Sequence, residues 1–177
     1  MIKKLLKVLA VIDKTIAAIL KYVTITLFVA IALIVTANVL LRILPITSLH
    51  WTDEIVEMCF AGLVFYGAAG VWMLHGHFSV GDWIGKRVRR ERTRSAYRLL
   101  IELITLVFAA VFFYYSMNLM GRAHEVSSVF QIPKKVFYSC MPISSAIMIA
   151  YSLVFVVRSA IGVINPKMLS EIEQLRE

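Results

Sequence analysis

The most constraining feature of the sequence is a set of four long segments without a charged residue. Each is 17 to 22 residues long, and they lie at 23–41, 58–74, 103–121 and 136–157. A helix rises about 1.5 Å per residue, so a segment of about 19 residues covers about 29 Å, close to the roughly 30 Å hydrocarbon core of a bilayer. The alternating apolar pattern of a transmembrane β-barrel is not present. The sequence therefore predicts four membrane-spanning helices.

The composition agrees with a membrane protein. Hydrophobic residues make up 60% of the 177-residue chain, whereas soluble domains are usually about 45–50% apolar. One soluble core of this size could not enclose so much apolar surface. The first segment is also longer than the apolar region of a signal peptide, which is about 7–15 residues, so we expect it to remain in the mature chain.

The basic residues are distributed unevenly between these segments. Of the nineteen Lys and Arg residues, fifteen lie in the N-terminal segment, the middle loop and the C-terminal tail, and four lie in the two remaining loops. Because cytoplasmic loops are enriched in Lys and Arg, we expect both termini and the middle loop to be cytoplasmic. The net charge of +8 is thus explained by orientation and by contact with membrane lipids. No nucleic-acid-binding motif accompanies it.

The chain is predicted to be an all-α integral membrane protein with a single domain, 1–177. An amphipathic helix at the membrane surface is predicted for residues 1–21, since Lys7, Lys14 and Lys21 recur on one face; the alternative is a simple extension of the first span. Pro142 should kink or loosen the fourth span. The spans are expected at about 22–44, 54–75, 99–121 and 136–157, followed by a tail at 158–177.

Polar residues are concentrated where the second span begins. Thr52 is a plausible N-cap, and Asp53 and Glu54 follow it in the first turn, where acidic side chains are favourable. Glu57 lies one turn further along the helix and needs a partner. Arg42, at the end of the first span, is the nearest candidate in sequence.

Small and amide side chains suggest how the spans pack. Asn38 and Asn118 interrupt apolar segments, and a single amide in a membrane helix more often bonds to a neighbouring helix than binds a substrate. The second span also has a small-residue face that would allow close helix approach. This face consists of Ala61, Gly62, Gly67, Ala68, Ala69 and Gly70.

The sequence lacks the patterns of a catalytic or metal site. His75 and His77 are predicted on one side of the membrane and His50 and His124 on the other, so they cannot converge on one zinc ion or haem. No G-x-S-x-G, P-loop or G-x-G-x-x-G motif occurs. The span centres also lack the ionisable groups of a stand-alone transporter. We expect a protein without enzyme activity, metal or cofactor.

The order of these motifs resembles the small (Q-type) membrane subunit of the tripartite ATP-independent periplasmic (TRAP) transporters. That family has an Arg closing the first span, a W-x-E-E motif opening the second, and a turn containing Gly-His and a later Asp after it. Asp53 replaces the usual Glu, and Gly81 adds one residue before Asp82. The matching positions are Arg42, Trp51, Asp53, Glu54, Gly67, Gly76, His77, Val80 and Asp82.

The resemblance implies a scaffold without chemistry of its own in the bacterial inner membrane. Such a subunit packs against a large membrane subunit, which holds the substrate and sodium sites. A periplasmic substrate-binding protein delivers an organic acid of the dicarboxylate or sialic acid class. Two other hypotheses remain from the residues alone: an autonomous small membrane transporter or channel, and a membrane enzyme or redox subunit.

The resemblance also implies roles for single residues. The loops at 43–52 and 122–135 would face the binding protein. His77 and Asp82 would fold the turn on the inner side. Four polar residues would fix the outer rim of the first two spans: Arg42, Asp53, Glu54 and Glu57.

The charge distribution makes a direct prediction about topology. A reporter enzyme fused after Glu177 and a second one inserted in loop 86–94 should both report a cytoplasmic location, because Lys and Arg are retained on that side. Activity of a cytoplasm-specific and of a periplasm-specific reporter at each site measures this. A periplasmic signal at either site contradicts the four-span topology.

Overall fold

The described part of the chain consists of helices and one ordered loop. The computed structural model describes residues 2–43, 51–74 and 91–164, and no strand occurs within these ranges. Four helical segments are long and apolar enough to cross a membrane, so the predicted all-α fold with four spans is confirmed. The helices are α1 (Ile2–Ile43), α2 (Thr52–Met73), α3 (Glu91–Arg122), α4 (Lys134–Tyr138) and α5 (Cys140–Ile164).

The N-terminal segment is continuous with the first span. Residues 2–43 form one helix of 42 residues without a break near residue 21. The separate amphipathic helix predicted for residues 1–21 is therefore not confirmed. Its inner face packs against the other helices, since Leu20 is 5% exposed and belongs to the core. The physical reason is that Ile16 and Leu20 find apolar partners within the bundle.

The observed helices also exceed the predicted spans at several ends. Helix α3 begins at Glu91, eight residues before the expected start of the third span, and α5 continues to Ile164, into the predicted tail. The helical structure is interrupted at Ser139, between α4 and α5 and one turn before Pro142. This break follows from the missing amide of proline, which leaves a carbonyl of the preceding turn without its helical donor. The membrane boundaries within these helices remain predictions.

Backbone contacts connect the four long helices in the order α1, α2, α5 and α3, which we call the helix row. The extensive contacts join α1 to α2, α2 to α5, and α5 to α3. Helices α1 and α3 therefore lie at the two edges, and large apolar side chains such as Phe28, Leu33 and Val107 are exposed along them. In a membrane these surfaces face lipid or another membrane protein.

A core cluster joins all four spans at one level of the bundle. It contains Leu20 of α1, Ala69 and Trp72 of α2, Ala109 of α3 and Met148 of α5. The indole Nε1–H of Trp72 donates a 3.0 Å hydrogen bond to Ser152 Oγ on α5. The same indole stacks on Phe108 of α3, with ring centroids 6.4 Å apart. Trp72 thereby connects α2 to both of the later spans.

The close contact between α1 and α2 depends on one glycine. A Cβ at Gly62 would lie 2.9 Å from Leu27 Cδ1, whereas one at Gly67 would lie at an ordinary 3.7 Å from Thr24 Cγ2. A Cβ at Gly70 would meet nothing within 4 Å. Of the predicted small-residue face, Gly62 and Ala69 are buried, and they lie seven residues apart on one helix side.

Polar residues in the spans bond in two ways. Asn38 Nδ2 donates a 2.6 Å bond to Thr52 Oγ1, which confirms an amide linking two helices. Asn118 instead bonds to the Tyr114 carbonyl of its own helix. The predicted N-cap role of Thr52 is wrong: the cap position is Trp51, with no side-chain cap bond. Thr52 is buried, and its hydroxyl oxygen accepts the hydrogen bond from Asn38 of α1.

A valine at Gly62 should loosen the α1–α2 contact. Gly62→Val should lower the free energy of unfolding by about 1–3 kcal/mol, because the added carbons overlap Leu27. Thermal unfolding of the purified protein measures this, and Gly70→Val is the matched control. Adding Leu27→Ala should restore part of the loss. Equal destabilisation by both valines would contradict the assignment of the close contact to Gly62.

Candidate subunit-docking site

A carboxylate at the start of α2 holds the loop between α3 and α4. Glu54 Oε1 accepts a 2.7 Å hydrogen bond from the amide of Val129, and Oε2 accepts bonds from Ser127 Oγ at 2.7 Å and the amide of Phe130 at 3.3 Å. Trp51 packs edge-on against the Phe130 ring, with centroids 6.3 Å apart. We call Trp51, Glu54, Ser127, Val129 and Phe130 the Glu54 cluster.

The loop has a closed internal structure. The Ser127 amide donates to the Ile132 carbonyl, and the Lys134 amide donates to the Glu125 carbonyl, both at 2.9 Å. Gln131 closes the turn with a φ of 55°, a left-handed conformation that is uncommon for a residue other than glycine. These bonds form a narrow hairpin-like neck, and its tip at 128–130 points its amides toward Glu54.

An exposed ion pair adds to the neck of the loop. Lys134 Nζ donates a 2.7 Å hydrogen bond to Glu125 Oε2. This bond and the adjacent positive charge lower the pKa of the Glu125 carboxyl. Because the folded-state pKa is lowered, the contribution of this pair to the loop is present above the ordinary pKa of Glu and is lost as the pH falls through the lowered value. Surface pairs of this kind contribute little at neutral pH.

The Glu54 cluster presents apolar side chains rather than charges to the exterior. Trp51 is 40% exposed, Phe130 45% and Val129 49%, and Val126 beside them is also exposed. Both carboxylate oxygens of Glu54 accept hydrogen bonds from the loop. Exposed clusters of large apolar side chains on a fixed backbone are typical of protein-contact surfaces.

Comparison with known protein families identifies the family of this chain. The family model for the DctQ component of tripartite ATP-independent periplasmic transporters matches residues 31–162, more than half of the chain. The chain belongs to the DctQ family. It is therefore the small membrane component of a TRAP transporter. No curated protein matches the chain significantly.

The remaining rim residues of this DctQ chain do not join the Glu54 cluster. Asp53 and Glu57 are exposed on α2, and Arg42 is exposed in the last turn of α1. Within the described residues no ion pair joins Arg42 to Glu57, so that hypothesis is not confirmed. Glu57 instead lies close enough to Lys134 for a Coulomb interaction between the two charges.

Three predicted motif residues lie outside the described residues. Gly76, His77 and Asp82 belong to the segment 75–90, so their role in the inner turn stays a prediction. Gly67 is described and lies against α1 through Thr24. The structure therefore shows the side-chain contacts of the motif at the start of α2, and it shows where Gly67 lies.

The loop residues that bond to Glu54 were not predicted from the sequence. The resemblance singled out Trp51 and Glu54 and implied that loop 122–135 faces the binding protein, but it did not connect the two. The available signal was local: the Ser-Ser pair at 127–128 favours a turn, and Phe130 follows it. Which carboxylate would meet this turn depends on tertiary packing across 73 to 76 residues of chain.

Removing the Glu54 carboxylate should release the loop tip. In Glu54→Ala, hydrogen exchange of the Val129 and Phe130 amides should accelerate by about tenfold, because each loses a charge-assisted hydrogen bond. Hydrogen–deuterium exchange with mass spectrometry measures this. Asp53→Ala is the matched control, since Asp53 is an exposed carboxylate in the same turn. If the control accelerates exchange as much as Glu54→Ala does, Glu54 does not hold the loop.

Proposed function

We propose that this TRAP component scaffolds the large membrane subunit and helps to dock a periplasmic substrate-binding protein. The transporter would take up an organic acid of the dicarboxylate or sialic acid class by sodium-coupled transport. The docking role depends on the Glu54 cluster, in which Glu54 holds the loop and aromatic and aliphatic side chains are exposed. The scaffold role depends on the membership of the DctQ family and on the exposed edges of the helix row.

The helix row supports the scaffold role. Because α1 and α3 lie at its edges, the chain presents apolar surface on both sides of a narrow core. The most hydrophobic window of α1 has no buried residue. A row of this shape can bury an edge against a large membrane partner and leave the rest to lipid. Membership of the DctQ family supports a complex with the large TRAP membrane subunit and a periplasmic binding protein.

The position of the Glu54 cluster supports the docking role. It lies at the end of the bundle where α1 ends and α2 begins, opposite the basic N-terminal segment. The distribution of Lys and Arg predicts that this end is periplasmic. An encounter with a soluble partner favours a loop whose backbone is already held, because less conformational entropy is lost on binding. Glu54 gives the loop this fixed backbone.

The chain itself is proposed to do no chemistry. The DctQ family is a transporter component and not an enzyme family. We propose that the chain binds no metal and no cofactor, and that the sodium and substrate sites belong to the large subunit. The family and the membrane-length helices support a multi-pass protein of the inner membrane. Both termini are proposed to be cytoplasmic.

The docking role predicts a specific transport defect. Phe130→Ala and Glu54→Ala should lower uptake mediated by the binding protein, mainly by raising the concentration of loaded binding protein needed for half-maximal rate. Truncating a central aromatic contact typically weakens an interface by about 1–4 kcal/mol. Uptake into proteoliposomes with the complete transporter measures this, with Asp53→Ala as the matched control.

Co-purification separates docking from assembly in the same experiment. Both variants should still purify with the large subunit, because the helix row is unchanged. Loss of that association would assign the Glu54 cluster to assembly instead of docking. Unchanged uptake after deletion of the whole chain, or solute flux through liposomes that contain this chain alone, would contradict the scaffold role.

A further inference from the structure

Helix α1 extends well past its neighbour at the N-terminal end. Its partner α2 has 22 residues, about 33 Å of helix, which is enough to cross the hydrocarbon core. Asn38 and Thr52 are paired at one end of this contact, and Leu20 packs in one cluster with Trp72 at the other. The part of α1 before Leu20, which we call the extension, therefore continues past this end of the contact with α2, where the length of α2 predicts the lipid headgroups.

This extension is held against the bundle on one side. Tyr151 Oη on α5 donates a 2.6 Å hydrogen bond to Asp13 Oδ1. Ile16 packs against the core cluster, and Leu20 is buried. Asp13, Ile16 and Leu20 recur at intervals of three and four residues, so they share one helix face. The opposite face of the extension is exposed, with Val11 at 63% and Ile19 at 56%.

The outward face forms a shallow apolar groove. Its volume is about 580 Å³. Thr15 does not make it polar, because its hydroxyl donates a 2.8 Å bond to the Val11 carbonyl of the same helix. Tyr22, at the bilayer end, is 69% exposed, and an exposed tyrosine at this depth is typical of the membrane interface. The groove is lined by Val11, Lys14, Thr15, Ala18, Ile19, Tyr22 and Val23.

Two lysines lie at or beside this groove. Lys14 lines it, and Lys21 lies seven residues further on the same side of the helix, about 10 Å along the axis. Both side chains are exposed, and within the described residues neither takes part in an ion pair. Both residues precede the range matched by the DctQ model. An apolar surface beside unpaired cations at headgroup depth is complementary to an anionic lipid.

We propose that the outward face of α1 binds an anionic phospholipid of the adjacent leaflet. The phosphate group lies between Lys14 and Lys21, where it meets two ammonium groups. The start of the acyl chains lies along Ala18 and Tyr22, which would otherwise expose apolar surface among headgroups. The bound lipid fixes the depth and tilt of α1 in the membrane. This proposal does not depend on docking of the binding protein.

Native mass spectrometry of the detergent-purified full chain tests the proposal. The chain is titrated with phosphatidylglycerol and, separately, with zwitterionic phosphatidylcholine. Wild type should bind phosphatidylglycerol more tightly. The double variant Lys14→Gln with Lys21→Gln should bind it about thirtyfold more weakly, as expected for two lost charges near a lipid surface, and should bind phosphatidylcholine as before. Equal wild-type affinity for the two lipids overturns the proposal.

Two further measurements make the result specific. Lys135→Gln removes an exposed lysine at the opposite end of the bundle and should leave lipid binding unchanged; a loss equal to that of the double variant means that net charge alone attracts the lipid, and the site is refuted. A photo-crosslinking residue at Ala18 in the complete transporter should label lipid. A crosslink to the large subunit in place of lipid would show that a protein covers this face, against the proposal.

Discussion

Hydrocarbon offers no hydrogen-bonding partner, and this constraint determines the form of every span. Backbone groups in the membrane must bond within a helix or a closed barrel, and without the alternating pattern of a barrel the apolar segments form helices. Polar side chains follow the same requirement: Ser116 and Thr105 bond to carbonyls of their own helix. Among the described residues, side-chain hydrogen bonds between spans join Asn38 to Thr52, Trp72 to Ser152, and Tyr151 to Asp13. The first two lie near opposite ends of α2 and fix its position against both neighbours.

Packing in such a bundle depends on shape more than on apolar character, because lipid tails are as apolar as the side chains. The close approach at Gly62 brings α1 against α2, and the ring stack of Trp72 on Phe108 brings α3 toward them. The resulting row leaves its two edge helices exposed. The proposed scaffold role would use these edges, because a scaffold needs broad surfaces for a large partner and for lipid. A compact four-helix bundle would present less of both.

The Glu54 cluster shows how a membrane helix can organise an aqueous loop. The start of α2 has an acidic first turn, which the helix dipole favours. Glu54 is directed to the neighbouring loop, where it accepts hydrogen bonds from Ser127, Val129 and Phe130. The sequence resemblance was sufficient to select Trp51 and Glu54. It could not supply Ser127 or Phe130, because the pairing joins segments that are distant in the chain and has no periodic signal.

The sequence by itself determined the all-α class, the four spans, the break near Pro142 and the family. Each of these follows from local composition, since hydrophobic length, proline chemistry and short motifs act within a few residues. Tertiary structure decided the rest: that residues 2–43 form one helix packed on the bundle, that Thr52 pairs with Asn38 of α1, and that Glu54 binds the loop at 127–130 whereas Glu57 lies near Lys134. These outcomes depend on which surfaces meet in three dimensions, and equivalent side chains such as Asp53 and Glu54 become distinct only through that contact.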